Sequence, residues 1–203
     1  MGRLPIVLAS ASPRRRALLE ALGMRIEVRP SAADETLGGD PAEAATRNAV
    51  AKRDGVAKTL DSPALIIAAD TVVVIGDCVL GKPRDLEDAR AMLRQLSGAT
   101  HRVITGVAVI DTDSGKSAAD HETTEVTFCA LTEAEIDCFV NAVNPVDRAG
   151  AYTVDGPGSL LVARYNGCYQ NVLGLPMVRL NALVRTIGHD LFDYIEPERA
   201  RFL

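Results

Sequence analysis

The segment Leu65–Ile75 constrains the fold most, because it is apolar except for Asp70 and Thr71. Its length and composition are typical of a buried strand, and Gly76-Asp77 predicts a hairpin turn directly after it. A chain of 203 residues with 47% hydrophobic content can bury a sizeable core around such a strand. We therefore expect a buried strand over Leu65–Ala69, continued by Val72–Ile75, with Asp70 directly at the end of its first part.

Capping signals predict helices on either side of this strand. N-cap residues followed by proline or by a capping-box glutamate mark helix starts. We expect helices to begin after Ser12, Asp40, Asp85 and Thr132, the second to run to about Leu60, and a final helix to cover Met177–Ile187. Further strands are expected at Arg102–Ile110 and Thr124–Phe128. This alternation, without internal repeats, predicts a mixed α/β fold with a central mixed sheet and flanking helices, as one domain over residues 1–203.

Charge and cysteine content limit the possible partners and compartments. The chain has 22 Lys and Arg against 27 Asp and Glu, a net charge of −5, so no overall positive field would attract a nucleic acid polymer. Its 4 cysteines include no C-x-x-C pair, which fits a reducing compartment. The first apolar run is too short for a signal sequence or a membrane span. We expect a cytoplasmic protein with no membrane partner.

The first strand-to-helix loop is a candidate phosphate site. Ser10 and Ser12 precede three consecutive arginines, Arg14, Arg15 and Arg16, in the first helical turn. Cations are disfavoured at a helix N-terminus, whereas the free backbone N–H groups there suit phosphate oxygens. A bound triphosphate would offset the unfavourable positive charge of the arginines at the helix N-terminus. An ordinary helix cap, with the arginines solvated or paired with Glu20 and Glu27, is the alternative.

Asp70 is a candidate metal ligand because open α/β sheets present ligand groups where strands end. Magnesium takes one or two carboxylates together with substrate phosphates, so Asp70 and one further acid such as Glu35 would suffice. Lys52 and Lys82 supply ammonium groups that could neutralise phosphate charge. A turn residue at the end of a strand is the alternative for Asp70. The sequence has neither an H-E-x-x-H motif nor a P-loop, which disfavours zinc hydrolysis and P-loop chemistry.

Six segments occur in an order that resembles the Maf family of nucleotide pyrophosphatases. They are Leu8–Arg15, Ala69-Asp70-Thr71, Gly81-Lys82-Pro83, Leu96-Ser97-Gly98, Asp147–Tyr152 and Asn171–Pro176. The resemblance covers nearly the whole chain. It implies two lobes around a cleft, a fold similar to inosine triphosphate pyrophosphatases, and a homodimer. It also implies removal of non-standard or excess nucleotides, and a link to arrest of septum formation.

The resemblance implies a role for each candidate residue. Asp70 matches the catalytic acid, and Glu35, Lys52 and Lys82 match positions that handle metal and phosphate. Ser10 and Arg15 belong to the phosphate-binding first motif. The implied reaction uses Mg²⁺ or Mn²⁺ held by Asp70 and Glu35, with Asp70 either accepting the proton of the attacking water or holding the metal. Arg15, Lys52 and Lys82 would offset charge on the phosphates.

Arg14 and Thr71 agree with the subgroup that prefers dTTP and UTP, but a third specificity position departs from it. Asp155 stands where that subgroup has glutamine. An ionised aspartate accepts hydrogen bonds but cannot donate one to a pyrimidine carbonyl. We therefore expect the preference for uracil and thymine to weaken and cytosine to be better tolerated. An Asp155 that faces away from the base is the alternative.

Two other functions remain open at this point. A nucleotide-binding regulator of cell division would keep a phosphate pocket without turnover. A metal-dependent phosphatase would release inorganic phosphate. Paired carboxylates beside a polyanion favour catalysis over simple binding, so the sequence predicts hydrolysis of a nucleoside triphosphate to the monophosphate and pyrophosphate.

Overall fold

The computed structural model describes residues 3–36 and 38–201, which form a mixed α/β fold. The strands are β1 (Ile6–Leu8), β2 (Ile26–Val28), β3 (Leu65–Ile75), β4 (Cys78–Leu80), β5 (Thr100–Asp111), β6 (Ser117–Phe128) and β7 (Val162–Asn166). The α-helices are α1 (Pro13–Ala21), α2 (Pro41–Ala57), α3 (Leu86–Leu96), α4 (Glu133–Val143), α5 (Tyr169–Val172) and α6 (Met177–Thr186). Short 3₁₀ helices cover Pro145–Asp147, Ala149–Ala151, Gly156–Leu160 and Leu191–Tyr194.

The sheet is mixed, as predicted, with the order β2-β1-β3-β5-β6-β7 and β4 paired to β3. Strand β1 runs parallel to both β2 and β3, with Leu8 opposite Val28 and Ile67. Strands β3 and β4 form the predicted antiparallel hairpin, and β6 pairs antiparallel with β7. Parallel neighbours around β1 require the crossover connections that α1 and α2 supply.

The predicted helix caps are confirmed. The side chains of Ser12, Asp40 and Asp85 accept backbone N–H groups at the starts of α1, α2 and α3, and Thr132 forms the complete capping box of α4.

Two predicted boundaries were wrong. Helix α2 ends at Ala57 instead of near Leu60, because the N–H groups of Thr59 and Leu60 donate to carbonyls three residues back instead of four. Strand β6 begins at Ser117 instead of Thr124, because its first half is mostly polar and not buried and so lacks the apolar signal of a strand.

The chain divides into two compact units. The first combines the chain up to Asp70 with Thr105–Glu122 and the segment from Gly174 onward. The second combines Thr71–Ile104 with Thr123–Leu173. The single domain expected over residues 1–203 stays a prediction.

The core of the first unit lies on both faces of β3. Leu65, Ile67 and Ala69 pack in a cluster with α1 and α6, whereas Ile66 and Ala68 pack in another that includes Val56 of α2. Side chains alternate across a strand, so each face of β3 buries its own set. Helices on both sides explain why every residue from Leu65 to Ala69 is apolar.

The core of the second unit includes an aromatic group that the sequence left unassigned. His101, Phe128 and Tyr152 contact one another edge to face, with ring centroids 4.9 to 5.4 Å apart. Nε2 of His101 lies 2.8 Å from the Tyr152 hydroxyl. Burial lowers the pKa of His101 to about 4 and raises the pKa of Tyr152 far above its ordinary value. Both side chains are therefore neutral core residues at neutral pH.

Within residues 3–36 and 38–201, no helix is long and apolar enough to cross a membrane.

Candidate functional site

Strand β3 presents Asp70 to helix α2. Asp70 follows Ile66 and Ala68 with a period of two, so it lies on the face that packs toward α2. Only 5% of Asp70 is exposed. A carboxylate this buried needs hydrogen-bond donors close by, because burial of an uncompensated charge is costly.

Helix α2 approaches the sheet closely enough to supply those donors. Its buried face includes Ala44, Ala45 and Ala49, which are small. Gly106 of β5 faces this helix, and a Cβ at Gly106 would lie 2.3 Å from the backbone carbonyl carbon and oxygen of Ala45. The glycine and the alanines together allow a close helix-to-sheet contact, which brings the polar residues of α2 within reach of Asp70.

Two residues one turn apart on α2 contact the two oxygens of Asp70. Lys52 Nζ donates to Asp70 Oδ1 at 2.6 Å, and Asn48 Nδ2 donates to Asp70 Oδ2 at 2.9 Å. Residues four apart lie on the same side of a helix, which is why both can reach one carboxylate. Lys52 and Asp70 were predicted from the sequence, whereas Asn48 was not.

Lys52 also binds Glu35, from the loop between β2 and α2. Its Nζ donates to Glu35 Oε1 at 2.7 Å, so one ammonium group bridges the two acids that were expected to hold a metal. The Lys52 side chain is 12% exposed and that of Glu35 is 49% exposed. The structure thus gathers a buried and a half-exposed carboxylate around one positive charge.

Arg15 organises the first loop from inside the protein. Its Nε donates to Gly174 O at 2.8 Å, and its Nη1 donates to Ala69 O at 2.8 Å and to Ser10 Oγ at 3.0 Å. Burial lowers the pKa of Arg15 to about 10, which leaves the guanidinium charged at neutral pH. Ser10 Oγ also accepts from the Ser12 N–H at 3.2 Å. Arg15 therefore places a fixed positive charge behind the loop, next to the residue that precedes Asp70.

The three arginines differ in their surroundings. Arg16 pairs with Glu20 at 2.8 Å on the exposed side of α1, as the ordinary-cap alternative expected. That alternative is wrong for Arg15, which is buried. Glu27 pairs with Arg29, at the end of its own strand. Arg14 is half-buried, and its charge contributes to lowering the pKa of Arg15.

Thr71, Lys82 and Asp155 belong to the second unit. Thr71 is half-buried in β3, and Lys82 is exposed just after β4. The Gly150 N–H donates to Gly81 O at 3.0 Å, which links the loop of Lys82 to the segment that leads to Asp155.

Asp155 is exposed and accepts a hydrogen bond from the Thr153 hydroxyl. Its charge contributes to raising the pKa of Tyr169, although burial is the larger cause, so these two side chains are neighbours. The carboxylate thus lies at the surface of the second unit beside a tyrosine ring.

Asn48 was missed because an amide among alanines of a helix has no chemical signature of its own. The only signal was its spacing, since it precedes Lys52 by four residues. Arg53 was missed as well; it is 7% exposed, and its guanidinium donates to Val109 O and pairs with Asp54. It secures the end of α2 to β5.

The carboxylates of the site that could hold a cation are Asp70 and Glu35. Among the residues whose positions are described, no group of three or more His, Cys, Asp or Glu side chains could hold a metal ion. Glu35 and Asp70 form a pair, and magnesium typically uses one or two carboxylates together with phosphate oxygens.

Comparison with known proteins gives consistent matches over most of the chain. A family model described as Maf-like protein matches residues 5–187. A dTTP/UTP pyrophosphatase of Pelotomaculum thermopropionicum is 46% identical over 188 residues, covering 92% of this chain and 98% of the relative. One of Desulforamulus reducens is 42% identical over 188 residues with the same coverage. Among solved structures, the Staphylococcus aureus Ham1 protein aligns with a TM-score of 0.44 and 17% identity, covering 62% of this chain and 72% of that one.

Proposed function

The chain belongs to the Maf family, and we propose that it hydrolyses pyrimidine nucleoside triphosphates to the monophosphate and pyrophosphate. The observation that carries this function is the pair of carboxylates, Asp70 and Glu35, bridged by Lys52 in the first unit. A carboxylate can accept the proton of an attacking water, and an ammonium group can offset the charge that develops on the phosphate oxygens. Relatives at 42% and 46% identity carry the name dTTP/UTP pyrophosphatase.

A divalent cation, Mg²⁺ or Mn²⁺, is part of the proposal. Asp70 and Glu35 would hold it, and the chemistry of this donor set fits, because both side chains offer hard oxygen ligands and already converge on one cationic group. When bound, such an ion supplies charge neutralisation at the phosphates and lowers the pKa of water.

The side chains of the first unit have distinct proposed roles. Asp70 would either hold the cation or accept the proton of the attacking water. Lys52 would neutralise charge that develops on the phosphate oxygens. Ser10 and the N–H groups of its loop would bind phosphate oxygens, while Arg15 holds that loop in place and adds a fixed positive charge.

The residues of the second unit keep the roles that the family resemblance implies, as proposals. Lys82 is exposed and would neutralise phosphate charge. Arg14, Thr71 and Asp155 would set base preference. Because the Asp155 carboxylate only accepts hydrogen bonds, we expect CTP to be hydrolysed within about tenfold of UTP.

The Asp155→Gln variant should restore a preference for dTTP and UTP over CTP of about tenfold or more, measured as the ratio of kcat/KM values. The base preference of the wild-type protein also tests whether Asp155 takes part in selecting the base. If it acted only on uracil and thymine nucleotides, Asp155 would have no part in selecting the base.

Product analysis separates this function from its rivals. Purified protein would be incubated with dTTP, UTP, CTP and base-modified triphosphates in Mg²⁺ or Mn²⁺, and the phosphate products resolved. Monophosphate with pyrophosphate supports the proposal, whereas diphosphate or inorganic phosphate would indicate a phosphatase. Tight nucleotide binding without turnover would indicate the regulator of cell division, which the names of the relatives do not favour.

A homodimer and a cytoplasmic location are also proposed, from the family resemblance and the reducing compartment that the cysteines suggest. Sedimentation velocity tests the dimer, since a single species at the mass of one 21.6 kDa chain would contradict it.

A further inference from the structure

Asn48 is a buried amide whose contacts go beyond packing. It is 2% exposed on the inner face of α2, and its Nδ2 donates to Asp70 Oδ2 at 2.9 Å. The same Nδ2 donates to Thr36 O at 3.1 Å, and Oδ1 accepts from the Thr36 N–H at 2.9 Å. One side chain therefore contacts both the acid of β3 and the backbone of the loop before α2.

The neighbours of Asn48 determine the orientation of its amide. A backbone N–H can only donate, while a backbone carbonyl and an ionised carboxylate only accept. The amide oxygen must therefore face the Thr36 N–H, and the amide nitrogen must face Thr36 O and Asp70. The opposite orientation would leave all three contacts without a matched donor and acceptor.

This arrangement links the two acids of the site. Thr36 follows Glu35 directly, so binding both polar groups of the Thr36 backbone restrains the loop that carries Glu35. Lys52, one turn later, bridges Glu35 Oε1 and Asp70 Oδ1. Each oxygen of Asp70 thus has one donor from α2, and Asn48 occupies the oxygen that Lys52 does not.

We propose that Asn48 is a positioning residue that orients Asp70 and fixes the loop of Glu35, so that both carboxylates face the same cation and substrate. This inference rests on the proposed function. Asn48 acts through Asp70 and Glu35, and residues that orient metal-binding side chains typically change activity or metal affinity by about 10- to 100-fold when they are replaced.

Two variants of Asn48 distinguish orientation of Asp70 from attachment of the Glu35 loop through Thr36. Asn48→Asp keeps the shape of the side chain and an acceptor for the Thr36 N–H, but it loses the donor to Asp70. Asn48→Leu keeps a similar volume, loses every hydrogen bond and adds no charge, which keeps the test informative if Asn48→Asp fails to fold. Asn181→Ala is the matched control, because Asn181 lies in the same unit and its amide oxygen accepts from the Leu191 N–H.

The measurements are kcat and KM for UTP, and the affinity for Mn²⁺ by electron paramagnetic resonance in the presence of α,β-imido-UTP, which resists cleavage. We expect both Asn48 variants to lose about 10- to 100-fold in kcat/KM, mainly in kcat, and to bind Mn²⁺ about tenfold more weakly. Asn181→Ala should change neither. A folded Asn48→Asp protein with wild-type kcat/KM, with the loss confined to Asn48→Leu, would overturn the role at Asp70, because it would assign the whole effect to the bond that Thr36 N–H donates.

A folded Asn48 variant with wild-type kcat and Mn²⁺ affinity would also overturn the inference. Failure of the proposed function has a different signature, since the unchanged protein would then release no pyrophosphate from UTP. The Mn²⁺ comparison between unchanged and variant protein would still test Asn48 in that case.

Discussion

Replacing Asp70 by asparagine tests the central acid of the site. The Asp70→Asn change keeps the shape of the side chain but removes its negative charge and its ability to accept a proton. Lys52 Nζ lies 2.6 Å from Asp70 Oδ1, for which the gross attraction is about 6 kcal/mol at an effective dielectric constant of about 20. Desolvation of the two buried groups offsets most of that attraction.

The stability cost should be modest because Lys52 keeps a partner. Glu35 Oε1 remains 2.7 Å from its ammonium group, so the lysine is not left as an unpaired buried charge. We expect the free energy of unfolding to fall by about 1 to 3 kcal/mol. Loss of the proton acceptor should lower kcat by about 10³-fold, which corresponds to about 4 kcal/mol in the activation barrier.

Pyrophosphate release from UTP and urea unfolding measure the two effects separately. Asp111→Asn is the matched control, because Asp111 is 7% exposed, belongs to the same unit and pairs with His189 at 3.0 Å. Burial opposes ionisation of Asp111, but hydrogen bonds from His189 and the following turn outweigh it and lower its pKa to about 2. That control should lose stability but keep kcat. An Asp70→Asn protein with kcat within tenfold of wild type would refute the reasoning.

Three further predictions follow from packing and charge. Burial lowers the pKa of His101 from its ordinary 6.5 to about 4. As the pH falls from 6.5 to 4, the unfolded chain therefore binds a proton that the folded protein does not. The free energy of unfolding should fall by up to about 3 kcal/mol over that range. His101→Gln, compared by urea unfolding across that range, should flatten the dependence; an unchanged slope would contradict it. Gly106→Ala should displace α2, destabilise the fold by about 1 to 3 kcal/mol and lower kcat at least tenfold. Gly38→Ala is the control, because a Cβ there has no atom within 4 Å, and it should change neither the stability nor kcat. Chelation of divalent ions with EDTA should abolish pyrophosphate release and excess Mg²⁺ restore it; turnover that persists in EDTA would exclude the proposed cofactor.

The helix starts and the central strand were predictable because their causes are local. Ser12 and Asp40 cap their helices through N–H groups two or three residues away, so a short window of sequence contains the whole interaction. The polar half of β6 was not predictable in this way. Its strand conformation comes from pairing in the sheet, which leaves no apolar pattern in the residues from Ser117 to Thr123.

The candidate site was only partly predictable for the same reason. Asp70 was evident from its place in an apolar strand, whereas Glu35 was named only as an example of a further acid and lies 17 residues before Lys52. Arg15 was expected at the phosphates, and the structure shows that its guanidinium holds Gly174 O, 159 residues later. Contacts over such distances in sequence cannot be inferred from local patterns.

The sequence by itself determined the α/β class, the caps and the position of Asp70 on a buried strand, because these depend on periodicity and on neighbours within one helical turn. Only the tertiary structure decided that Asn48 and Lys52 each take one oxygen of Asp70. That outcome depends on how closely α2 approaches the sheet, which the absence of a Cβ at Gly106 permits. Hydrogen bonds act over about 3 Å, so a contact between distant residues exists only once packing has fixed the distance between their backbones.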